Sequence, residues 1–232
     1  MKYIGYVSAM VLAMCLSSCL IQKKKNVDMS EVVRNDLMRG EFSALSLSGE
    51  YAIEYKQADS CSLSVRGPKD LVDRMEVSYE DSTLSLSTKR QNINFAGRKK
   101  KVTVTVASPT LNEVKVKGAC DFKAPGTVVS KNMNFELSGA GTVDFGHLKC
   151  DTFQIKVHGA GNLDLGLYDT RYAGISISGA GNADVDFDHC GKAECAISGA
   201  GNLSLSGDVE QFVENKSGAA VIHKKGLTIK NK

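Results

Sequence analysis

Between residues 132 and 222, apolar and polar side chains alternate around a four-residue phrase that returns every 20 positions. The phrase reads Gly139-Ala140-Gly141-Thr142, Gly159-Ala160-Gly161-Asn162, Gly179-Ala180-Gly181-Asn182 and Gly199-Ala200-Gly201-Asn202. Degenerate copies flank it at Gly118-Ala119-Cys120-Asp121 and Gly218-Ala219-Ala220. Before each first glycine stand two apolar columns, Phe135/Ile155/Ile175/Cys195 and Leu137/Val157/Ile177/Ile197. After it stand two more, Val143/Leu163/Ala183/Leu203 and Phe145/Leu165/Val185/Leu205. Polar residues fill the places between them, so each unit predicts two short strands with one buried face. Gly-Ala-Gly is the corner between the strands, since glycine reaches positive φ and lets backbone pass close to backbone. One unit cannot bury its own apolar face, but units coiled in register can, at about 4.8 Å per coil. The pattern therefore predicts an all-β chain built as a β-solenoid with coils of about 20 residues.

Upstream, the alternation persists without tight repetition. Leu45-Leu47, Tyr51-Ile53-Tyr55, Leu63-Val65, Val77-Tyr79, Leu84-Leu86 and Val102-Val104-Val106 read as strands, and Lys69 to Met75 as a helical turn with Leu71 and Val72 inward. Residues 41–107 thus form an irregular β-rich segment, either a separate sheet or early coils capping the solenoid, which occupies 108–232. The run Arg98-Lys99-Lys100-Lys101 marks a solvated hairpin loop within 92–101. The closing stretch from Val221 is polar, with Leu227 and Ile229 between lysines, as suits a strand that protects the last edge.

Composition narrows the function. The 232 residues carry a formal net charge of +3, with 6% aromatics and no tryptophan. That balance is too mild to argue for nucleic acid. Lys2 and the apolar run Tyr3 to Cys15, too short to span a bilayer, precede Leu16-Ser17-Ser18-Cys19. This resembles the lipobox of bacterial lipoproteins, which implies a signal peptide over 1–18, lipidation of Cys19 and a tether over 19–40. The alternative is an ordinary secretory signal with an incidental thiol. Surface-exposed lipoproteins of Bacteroides-like bacteria carry acidic residues after the cysteine; Lys23-Lys24-Lys25 stand here, which by resemblance favours a periplasm-facing outer-membrane lipoprotein.

Seven cysteines and four scattered histidines contain no CxxC pair, so a Cys/His metal site is not expected. Cys195 replaces an inward apolar residue and reads as a core thiol, while Cys150 and Cys190 lie two coils apart, beyond disulfide reach. His189 and Cys190 point to opposite faces of a strand and make a poor nucleophile pair. Asp144, Asp164 and Asp184 should stack as an outer carboxylate column. Its two readings are a solvated acidic stripe and a Ca²⁺ site, the latter weakened by a period unlike the nine-residue calcium β-roll. Thr142, Asn162, Asn182 and Asn202 form a second ladder, read as structural hydrogen bonding between coils.

The Ser/His-Gly-Ala-Gly-Thr/Asn turns, the strand Val102 to Val106, the Pro109-Leu111 segment and the lipobox together resemble the auto-transporter adhesin "head GIN" domain, a domain of unknown function common in secreted Bacteroides-type proteins. The likeness covers roughly residues 41–220 and implies a right-handed β-helix-like fold, a non-enzymatic adhesin or structural scaffold, and no cofactor. It carries over no catalytic residues. Its partners would be the membrane, through the lipid, and a glycan or protein ligand. The competing function is a polysaccharide-acting enzyme using the Asp column, and a purely structural spacer is the third.

Overall fold

The computed structural model describes residues 30–37, 39–89 and 101–230. The lipobox with Cys19, Lys23 to Lys25, and all of the basic loop but Lys101 lie outside them. The chain is all-β with one short helix, in the order β1 (Glu31–Arg34), β2 (Ala44–Gln57), β3 (Ser62–Pro68), α1 (Lys69–Val72), β4 (Met75–Glu80), β5 (Thr83–Thr88), β6 (Val102–Ser108), β7 (Glu113–Tyr168) and β8 (Tyr172–Ile229). All the strands belong to one curled sheet.

β7 and β8 run 56 and 58 residues, far beyond the usual length of a straight strand, so they must bend. They pair in parallel with an offset of 20, from Thr152↔Tyr172 through Gly159↔Gly179, Leu163↔Ala183 and Asp164↔Asp184 to Tyr168↔Asp188. A one-residue slip would turn every apolar column outward, so burial holds this register. The four apolar columns are buried from Phe135 to Leu205. A second set closes the interior: Met133, Phe153, Ala173 and Ala193 from one side, Leu148, Leu167 and Phe187 from another. Phe122, Phe135, Phe145 and Phe153 make a chain of ring contacts with centroids 5.2 to 6.4 Å apart along it.

The glycine column explains why the phrase returns. Gly139, Gly159, Gly179 and Gly199 have φ of +143°, +134°, +136° and +127°. A Cβ on any of them would lie 2.0 to 2.1 Å from the carbonyl oxygen of Gly118, Gly139, Gly159 or Gly179 respectively. Each of these glycines sits where the neighbouring coil's backbone leaves no room for a side chain. The second glycine is less uniform. Gly181 and Gly201 would meet the carbonyls of Gly161 and Gly181 at 1.9 Å, and Gly141 that of Cys120 at 1.8 Å, whereas Gly161 would meet the Leu137 side chain at 3.1 Å.

The N-terminal segment belongs to the same sheet. β2 pairs in parallel with β7, placing Gly49 opposite Gly118 and Ile53 opposite Phe122. On the other side of β2, β5 covers its first half and β6 its second, both parallel, so the two together imitate one coil. Antiparallel strands then close that end: β4 on β5, β3 on β6, and β1 on β3. β1 falls within the stretch expected as tether. Short α1 follows Pro68 and turns Leu71 and Val72 inward.

Candidate functional site

The C-terminal part of the sheet carries a chemically mixed surface. Asp164 and Asp184, adjacent in register, line a groove of about 250 Å³ with Asp186, Ser204 and Ser206. His223 and Lys225 of the terminal coil bound it from the C-terminal side. The Ser206 hydroxyl donates to Asp186 at 2.7 Å. Asp144 is on the same column but does not line the groove. The structure thus brings two of the three column carboxylates together with a basic wall. That wall was not legible in the sequence, because the terminal coil departs from the repeat that gives the other columns their numbering.

The carboxylates that converge most closely are elsewhere. Among the described residues, one carboxylate oxygen each of Asp188 and Asp208 and one imidazole nitrogen of His189 lie within 4.8 Å of one another. The Asp144, Asp164 and Asp184 column makes no such trio. Asp188 meets His189 Nδ1 at 2.5 Å, the His189 N–H donates to Asp208 at 3.3 Å, and the Lys230 ammonium pairs with Asp208. That hydrogen bond from Lys230 holds the Asp208 carboxyl below the ordinary carboxylate range. The protein's own ammonium therefore supplies the positive charge at this cluster. The signal in sequence was the spacing of 20 between Asp188 and Asp208, the same column rule applied one corner further on. Asp169 and His189, also 20 apart, both adopt positive φ, +46° and +56°, and mark that corner.

Other surface charges pair from coil to coil. Lys149 bonds Asp169 at 2.6 Å and depresses its pKa. Arg171 meets Asp151 at 2.6 Å. Tyr172 donates to Glu194 at 2.9 Å, and Lys192 with Tyr172 keeps Glu194 below its usual range. His147 stacks on Tyr168 with centroids 4.9 Å apart. In the Asn ladder, the Asn182 N–H donates to Asn162 Oδ1 at 3.3 Å and Asn202 Nδ2 donates to Asn182 Oδ1 at 3.1 Å. Thr142 instead donates to Asp121 at 3.1 Å.

Four of the described thiols are inward and inert by environment. Burial pushes Cys120, Cys190 and Cys195 up to about 12 and Cys150 to about 11, so they stay protonated at neutral pH. These four and Cys61 are free. Thr170 separates Cys150 from Cys190 in their column and is itself fully buried. His189 is exposed while Cys190 is buried, as opposite faces require. Among the described residues no helix is long and apolar enough to cross a membrane.

Fold and site together define an all-β chain whose single curled sheet buries an apolar face and keeps a polar exterior. The profile described as "Putative auto-transporter adhesin, head GIN domain" matches residues 41–166, and the chain belongs to that family. A solved putative adhesin from Bacteroides fragilis superposes with a TM-score of 0.62 at 22% identity, covering 84% of this chain and 96% of that one. A putative lipid binding protein from Parabacteroides distasonis gives 0.45 at 18%, covering 87% and 97%. A putative adhesin from Parabacteroides merdae gives 0.45 at 16%, covering 84% and 97%. No functionally curated protein matches.

Proposed function

We propose that this is a lipid-anchored protein of the cell envelope that presents a rigid right-handed β-solenoid wall as an adhesin or binding scaffold. The observation that carries the reading is the parallel register of 20 maintained through Thr152–Tyr168 and Tyr172–Asp188, which makes the exterior a lattice of repeated polar side chains. Family membership supports adhesion over catalysis. Leu16-Ser17-Ser18-Cys19 supplies the anchor and Lys23-Lys24-Lys25 favours the periplasmic side. Radiolabelled palmitate should enter the chain and be lost in Cys19→Ala; labelling that survives the substitution removes the anchor.

The groove favours one second reading, action on a polysaccharide, because Asp164 and Asp184 face His223 and Lys225 across it. A panel of host and acidic glycans separates the two. Retention without cleavage supports the adhesin, while cleavage abolished by Asp164→Asn supports the enzyme. A panel blank for both leaves neither with a glycan ligand.

A further inference from the structure

The groove bounded by His223 and Lys225 holds opposite charges that do not pair. Asp164 and Asp184 stand on one side of it, Lys225 and His223 on the other, and all four are exposed. None of the four makes a side-chain hydrogen bond or ion pair with another described residue. Elsewhere on the surface such charges find each other: Lys149 pairs with Asp169, Arg171 with Asp151 and Lys230 with Asp208. The groove is therefore a place where both signs are left for something else to satisfy.

The order of the strands across it sets a length. Asp164 and Asp184 are register partners, and Ser204 follows Asp184 at the same offset of 20. The bond from Ser206 to Asp186 holds these two stretches side by side. Gly226 then packs on Ser206, where an added Cβ would lie 3.0 Å from the Ser206 Cβ, so the terminal stretch of β8 comes next. The half-buried Ser204 thus lies between the carboxylates and the basic wall. Two strand spacings of about 4.8 Å separate those walls, and a charge-assisted hydrogen bond of about 2.8 Å at each end leaves about 4 Å for the separation of a ligand's own charges.

We infer that the groove binds a small zwitterion, an ammonium joined through a few bonds to a carboxylate or phosphate. Carboxylates on adjacent strands repel unless a cation intervenes, and the three N–H donors of an ammonium serve Asp164 and Asp184 together. The acid group of the same molecule meets Lys225 and His223, and the Ser204 hydroxyl bonds the middle. A polyanion is turned away by Asp164, Asp184 and Asp186, and a bare cation leaves Lys225 unpaired, so like-charge repulsion sets the selectivity. This site uses the groove of the second reading above, but stands if no glycan is retained and if Cys19 carries no lipid.

Calorimetric titration of the full chain in micelles of an uncharged detergent tests it. Glycine, β-alanine and phosphoethanolamine are the zwitterions; ethanolamine, acetate and inorganic phosphate are their single-charge halves. At least one zwitterion should bind about tenfold or more tightly than either of its halves, because two contacts on one frame share a single loss of translational freedom. The tighter of the carboxylate and phosphate probes identifies the acid group. Asp184→Asn and Lys225→Gln should each weaken that zwitterion about fivefold or more, while Asp144→Asn, on the same column but outside the groove, should leave it unchanged. Lys225→Glu should shift the preference to ethanolamine, a reversal that loss of the fold does not produce. Equal affinity for a zwitterion and its halves overturns the proposal. So does the absence of zwitterion binding at millimolar concentration, or binding indifferent to both Asp184→Asn and Lys225→Gln.

Discussion

Among single residues, the glycine column bears the tightest steric constraint. Gly179 has φ +136°, and a Cβ there would lie 2.0 Å from the Gly159 carbonyl oxygen, which is backbone and cannot swing aside. Gly179→Ala should therefore cost about 2–4 kcal/mol, combining a strained dihedral with overpacking. Gly126 is the internal control: nothing lies within 4 Å of its added Cβ, so Gly126→Ala should stay within about 0.5 kcal/mol of the native chain. Chemical denaturation of both variants checks the pair, and equal losses would refute the carbonyl contact as the cause. The repeated phrase announced this column, but it could not separate Gly161, whose neighbour is the Leu137 side chain, from Gly181, whose neighbour is a carbonyl. That difference depends on how each coil leans on the last, which no local pattern encodes.

Between elements, stretches of the curled sheet that lie 20 residues apart are laced by polar side chains over an apolar interior. Asp121 shows how such a lace depends on pH. Burial alone would raise its pKa, but the hydrogen bond and charge of Lys101, with the hydroxyl and N–H of Thr142, more than offset it and hold the carboxyl below its ordinary value. Asp169 and Asp208 are lowered by Lys149 and Lys230. A depressed carboxylate stabilises the fold above its unfolded pKa, about 4, and that contribution disappears as pH falls through the lower folded value. Melting temperature should therefore vary little from these groups between pH 7 and 5 and fall below about pH 4. Asp121→Asn should flatten the acid limb, measured as melting temperature against pH; an unchanged limb would show that Asp121 is not linked to folding. The carboxylates were visible in the sequence, yet their partners were not. Lys101 reaches Asp121, and Lys149 reaches Asp169, only because residues 20 apart become neighbours across the coil boundary.

For the whole molecule, one curled sheet runs from an antiparallel cap of β1, β3 and β4 to a charged terminal coil. A flat repeat would leave both faces of each unit in water; curling puts one face inside. The strand alternation, the buried columns and the period of 20 were determined by the sequence alone, since periodic burial is a local property of side-chain order. The place of β2 as a coil opposite β7, of β5 and β6 as two halves of another, and of β1 as a strand was decided only in three dimensions. So was the meeting of Asp164 and Asp184 with His223 and Lys225. Those pairings join residues whose separation differs from the repeat, and their register follows from packing against the finished interior rather than from any spacing along the chain.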